Sequence, residues 1–208
     1  TETYSEFIDM SDVKDRSLDD RKKRFLTRAF AAYAIQSLGG IDLKTSAQSV
    51  VDGYEDNGLD ALYYEEKNKI LWLVQSKWIS KADGEPDTGE VSKFTRGIRD
   101  LIDLKLDRFN EKVKKKESEI IDALNNPLIK INIVLAYTGQ EKLSIHNERV
   151  LKDIIDELND TSELSGFYKF SLKLAHKSLV TTLDGNPVNV DLVLTNWGRL
   201  EEPYQSVY

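Results

Sequence analysis

The chain has 208 residues, 40% hydrophobic and 31% charged, ordinary proportions for a soluble globular domain that can bury a sizeable core. It contains no cysteine, which excludes a disulfide framework and any thiolate metal site and fits a reducing cytoplasm. The net charge of −7 and a pI near 5.0 argue against a general nucleic-acid binder, and no apolar run approaches the roughly 18 residues needed to span a bilayer. The expectation is one soluble, cytoplasmic domain over residues 1–208. A start at Thr1 rather than Met, and an end at Tyr208 without a clear terminal motif, leave room for a fragment of a longer protein.

In chain order, residues 14–28 come first as a basic segment, in which Lys14, Arg16, Arg21, Lys22, Lys23, Arg24 and Arg28 outnumber Asp15, Asp19 and Asp20. Lys22, Lys23, Arg24 and Arg28 are the candidate contacts to nucleic acid, set against the plainer reading of a solvated helical face. Residues 18–38 have amphipathic helical spacing, with Phe25, Phe30, Tyr33 and Ile35 toward a core, Asp19 or Asp20 as cap and Gly39-Gly40 as stop. A short apolar run at 49–51 and a turn-rich stretch at 52–58 precede a strand at 59–64. A turn at 66–69 leads into residues 70–78, apolar on both faces and so central in a sheet.

Residues 81–90, rich in Gly, Pro and Asp, read as an exposed, mobile loop. Residues 92–124 are charged and helical in period, in one or two helices, with Lys112, Lys114, Lys115 and Lys116 on a solvated face. A buried strand at 129–137, a helix at 144–158 and strands at 168–174 and 188–195 follow, and residues 197–208 have no periodicity. The alternation predicts an α/β sandwich whose mixed sheet is built around the 60–78 hairpin.

The chemistry lies in that hairpin. Side chains two apart on a strand share a face, so Gln75 and Lys77 point the same way. With Lys67-Asn68 at the tip, Glu66 pairs with Lys69, Tyr64 with Leu71, Leu62 with Leu73, and Asp60 falls opposite Gln75. One face then gathers a carboxylate, an amide oxygen and an ammonium, a set suited to a hard divalent cation such as Mg²⁺ or Mn²⁺ beside a group that can orient a water. The plainer alternatives are a turn-capping role for Asp60 and a strand-end lysine snorkelling to solvent at Lys77. Trp72 and Trp78 read as packing residues. His146 and His176 are too few for a histidine metal site, and no phosphate-binding Gly-rich loop or nucleophile elbow is present.

Asp56-Asn57-Gly58-Leu59-Asp60-Ala61, followed by Gln75-Ser76-Lys77-Trp78, resembles the core of the PD-(D/E)XK nuclease superfamily in its variant with Gln at the second acidic position. More narrowly, the chain is similar to the amino-terminal part of the AIPR proteins, linked to abortive phage infection in bacteria. The helix before the motif, the strand 131–137 with Thr138-Gly139, and the late Asn196-Trp197-Gly198, Pro203 and Tyr204 share in the likeness. The resemblance implies a restriction-endonuclease-like core with Asp60 as principal metal ligand, Gln75 as a second ligand and Lys77 as catalytic lysine. Many relatives also carry a Glu on the first helix directly after a Phe, but here Phe30 is followed by Ala31. Asp56, Glu55 and Asp52 are the nearest substitutes. Two functions from different classes follow: a Mg²⁺- or Mn²⁺-dependent nuclease, acting on DNA in phage defence, or a degenerate nuclease fold that binds nucleic acid or a protein partner without hydrolysis.

Overall fold

The computed structural model describes residues 2–81, 83–139, 142–160 and 169–174. The strand expected at 188–195 and the segment 197–208 lie outside them. Among the described residues, no helix is long and apolar enough to cross a membrane.

Helix α1 (Leu18–Gly39) starts at Ser17, whose side chain accepts the amide of Asp20, so a serine rather than Asp19 or Asp20 caps it. Phe30 and Ile35 are buried as their spacing requires, and Phe25 and Tyr33 are half-buried. After the short α2 (Leu43–Gln48), the chain turns through 52–60 and enters β1 (Ala61–Glu65), which pairs antiparallel with β2 (Ile70–Lys77). The register joins Leu62 to Leu73 and Tyr64 to Leu71, as the hairpin reading predicts.

Between β2 and the next strand lie α3 (Thr88–Ile102), α4 (Glu111–Lys114) and α5 (Glu117–Leu124). The stretch 81–90 is thus only partly loop. Asp87 and Glu90 form a capping box that starts α3 inside it, and Pro86 is buried. β3 (Lys130–Tyr137) lies parallel to β2, α6 (Ile145–Asp160) follows, and β4 (Lys169–Leu174) lies parallel to β3. The result is a mixed α/β fold with sheet order β1-β2-β3-β4 and helices on both faces.

The period of two in β2 divides the core. Leu71 and Leu73 meet Phe94, Ile98 and Leu101 of α3, whereas Trp72 and Val74 meet Phe30, Ala31 and Ile35 of α1. Both faces are covered, which explains the unbroken apolar run. Beyond Val74 the same alternation carries polar side chains to the carboxyl end of β2, beside the carboxyl end of β3. Thr138 ties these ends together: its amide donates to the Lys77 carbonyl, and its Oγ1 accepts the Ile79 amide at 2.7 Å.

Two glycines let α3 press on the 52–60 turn. Gly58 has φ of +85°, and a Cβ there would lie 2.7 Å from the Phe94 nitrogen; a Cβ at Gly97 would lie 2.1 Å from the Asn57 carbonyl oxygen. No side chain fits at either place. Gly97→Ala is therefore expected to destabilise the protein by about 1–3 kcal/mol, the cost of overpacking a filled core. Urea melts check it, and an unchanged midpoint would mean that α3 rides free of the turn.

Candidate metal centre

The turn between α2 and β1 brings three carboxylates together. Oxygens of Asp52, Asp56 and Asp60 lie within 4.8 Å of one another, and all three residues are buried. The backbone builds the cluster by holding the turn at both ends. The Asp60 carbonyl accepts the amides of Val51 and Asp52 at 2.8 and 3.0 Å, and the Asp60 amide donates to Val74 at 2.8 Å. Asp60 stands one residue before β1, just past the last paired residues, Ala61 and Val74. Its Oδ2 accepts the Ser76 amide at 2.6 Å and lies 3.1 Å from the Ser76 hydroxyl. Ser76, passed over in the motif, thus orients the central carboxylate.

Each acid has a different electrostatic partner. Asp52 Oδ2 accepts Nε of Arg28 at 2.7 Å, and Asp56 Oδ1 accepts Nζ of Lys93 at 2.7 Å and the Gly58 amide at 2.8 Å. Among the described residues, the Asp60 carboxylate has Ser76 alone. Burial, and then the charges of Asp52 and Asp56, push its carboxyl well above the ordinary carboxylate range, partly offset by the Ser76 donors.

Gln75, Lys77 and Asp60 line one cleft of about 280 Å³ together with Asp52, Asp56 and Glu90. Gln75 is only 8% exposed; its Nε2 donates to the Glu90 carbonyl at 3.1 Å, while its Oε1 is buried without a hydrogen-bond partner among the described residues. An unpaired buried carbonyl is costly, so a cation or water is the natural complement. Lys77 is half exposed and ion-paired with Glu90. Three carboxylates and an unsatisfied amide oxygen are hard oxygen donors, a set that could hold a metal ion.

Several sequence expectations change here. Arg28 is not a surface contact for nucleic acid: it is fully buried. All five of its N–H donors are used, two on Asp12, two on the side chain and carbonyl of Asp52, and one on the Asp9 carbonyl. Its hydrogen bonds hold the Asp12 carboxyl down to about 2. Lys22, Lys23 and Arg24 do remain exposed on α1. Of the three substitute acids, Asp52 and Asp56 reach the cluster, whereas Glu55 is exposed and stands outside it. Ala31 is buried against the sheet, and α1 contributes Thr27, not an acid, to the lining of the cleft. Lys112 is also less solvated than its run implies, donating to the Asp52 carbonyl at 3.0 Å. Glu90 and Lys93 were missed, although the Asp87-to-Glu90 spacing is a capping-box signature that could have revealed the start of α3.

Comparison with protein-family profiles, with curated proteins and with solved structures finds no match to this chain.

The raised Asp60 carboxyl gives stability a definite pH dependence. An unfolded Asp titrates near about 3.9. Because the folded value is higher, the contribution of Asp60 is fully present below the unfolded value and is lost as pH rises through the folded one. Asp60→Asn keeps an acceptor for the Ser76 amide and removes the charge. In EDTA at neutral pH it is expected to raise Tm by about 2–4 °C, the shift that about 1 kcal/mol produces at this size, and to flatten the decline with pH. A drop of several degrees would instead identify Asp60 as a structural cap.

Proposed function

We propose that this chain is a metal-dependent phosphodiesterase that hydrolyses nucleic acid, with DNA as the expected substrate and a restriction-endonuclease-like core as its fold. The observation that carries the reading is the unpartnered Oε1 of Gln75, buried in the same cleft as three clustered carboxylates and the Lys77 ammonium. The resemblance to AIPR proteins extends the reading to bacterial phage defence.

Asp60 and Gln75 would hold the cation through oxygen, at the strand end where Ser76 fixes the Asp60 carboxylate. A bound Mg²⁺ or Mn²⁺ supplies Lewis acidity and a water of lowered pKa for attack on phosphorus. Lys77 shares the Gln75 face of β2, so its ammonium stands where it can orient the attacking water or stabilise charge developing on the phosphoryl oxygens. Glu90 keeps Lys77 in place in the resting protein, and both side chains are exposed enough for Lys77 to exchange this partner for a phosphate. The exposed Lys22, Lys23 and Arg24 of α1 offer further phosphate contacts. The second reading, binding of nucleic acid or a protein without hydrolysis, draws on the lack of any acid from α1 in the described lining of the cleft.

The test is cleavage of DNA and RNA with Mg²⁺ or Mn²⁺ and with EDTA. Lys77→Ala is expected to lower the rate by about 10²- to 10⁴-fold with unchanged circular dichroism. Wild-type cleavage by that variant would make Lys77 a bystander, and binding without cleavage by the parent protein would favour the second reading. Gln75→Glu loses the hydrogen bond that the Gln75 side-chain amide donates to the Glu90 carbonyl and adds a carboxylate near Asp60. It is expected to melt lower than wild type in EDTA and to gain more from Mn²⁺. Equal responses to metal would remove Gln75 from the cation site.

A further inference from the structure

We infer that Asp56 completes the cation site in place of a helix carboxylate, and that Lys93 is its resident counter-ion, leaving when a divalent cation enters. The inference rests on the metal-dependent reading above and assigns the ligand that reading leaves open.

The two candidate acids differ in what holds them. Asp52 is bound to Arg28, which is fully buried, uses every N–H donor it has and grips Asp12 as well. That guanidinium cannot withdraw without stranding a buried charge and releasing the 9–12 segment. Asp52 therefore keeps its positive partner. Asp56 is held differently: the backbone amides of Gly58 and Gly53 fix its carboxylate at 2.8 and 3.3 Å, and its charge partner is the side chain of Lys93. Lys93 is 44% exposed, against 9% for Asp56, so its ammonium can swing to solvent while the carboxylate stays in place. The independent sign that this space suits a cation is Gln75, whose buried Oε1 lacks a partner in the same cleft. A lysine ammonium neutralises one carboxylate there, whereas a divalent ion would neutralise two and offer the amide oxygen a partner.

Mn²⁺ binding to the full chain, followed by calorimetry and by loss of the free-ion paramagnetic resonance signal, tests this without any activity readout. Asp56→Asn, whose single oxygen can still accept the shorter bond from the Gly58 amide while the longer one from Gly53 is lost, should weaken Mn²⁺ by more than about tenfold. Lys93→Gln should tighten it about two- to fivefold, the range set by breaking one half-exposed ion pair. Arg24→Gln is the control for charge alone, since the Arg24 guanidinium lies 3.8 Å from Asp52 and does not touch Asp56. It should tighten binding less than Lys93→Gln does, and Lys93→Gln should add nothing in the Asp56→Asn background. Equal gains from Lys93→Gln and Arg24→Gln, or wild-type affinity in Asp56→Asn, would overturn the inference. If Asp60→Asn abolishes binding while Asp56→Asn does not, the metal-dependent reading survives and this assignment fails. If the wild-type protein binds no Mn²⁺ at millimolar concentration, both fail.

Discussion

Like-charge repulsion among Asp52, Asp56 and Asp60 is the constraint on which the rest of this structure depends. Carboxylate oxygens within 4.8 Å of one another, in buried residues, favour unfolding unless cations or donors hold them. The chain answers with a different device for each acid: a buried arginine for Asp52, a half-exposed lysine and two glycine amides for Asp56, and, among the described residues, a serine alone for Asp60. The least compensated acid therefore stands nearest the end of the central strand, a place where a divalent cation would relieve more repulsion than any single side chain there does.

That arrangement explains why so much of the fold converges on one short turn. Arg28 ties helix α1 to the amino-terminal segment and to Asp52, so the helix, the arm and the turn are joined at one buried side chain. On the other side, α3 supplies Lys93 and Glu90 to the cleft and packs so closely that Gly58 and Gly97 leave no room for a side chain. Asn57 adds a hydrogen bond to Asp100 at 2.9 Å, in the last part of the same helix. Stability and site geometry are thereby coupled, because a shift of α3 would move Lys93, Glu90 and the turn together.

The Lys77–Glu90 pair shows how one residue can serve both purposes. Glu90 closes the capping box that starts α3 and also accepts from the Lys77 ammonium. An exposed ion pair of this kind contributes little to stability, on the order of 0–1 kcal/mol, so it restrains the lysine only weakly. A weak restraint suits a group whose proposed work requires it to change partners.

The sequence by itself determined the hairpin register, the shared face of Gln75 and Lys77 and most of the described local elements, though not the start of α3 within residues 81–90. These follow from periods of two and 3.6 and from turn residues, all of which act over a few positions. Residues 59–64 and 70–78 were legible because a register slip would turn Leu62, Leu71 and Leu73 away from the core. Only the tertiary structure decided that Arg28 is buried among Asp9, Asp12 and Asp52, that Glu55 stands outside the acidic cluster while Asp52 and Asp56 enter it, and that Glu90 and Lys93 join the cleft from α3. A basic residue in a run of basic residues reads as solvated. What buries Arg28 is a set of acceptors up to 24 residues away, brought close only after the helix docks on the sheet. The same holds for the counter-ions of the acids, since charge pairing depends on distance in space, and spacing along the chain carries that information only within a single helix or hairpin.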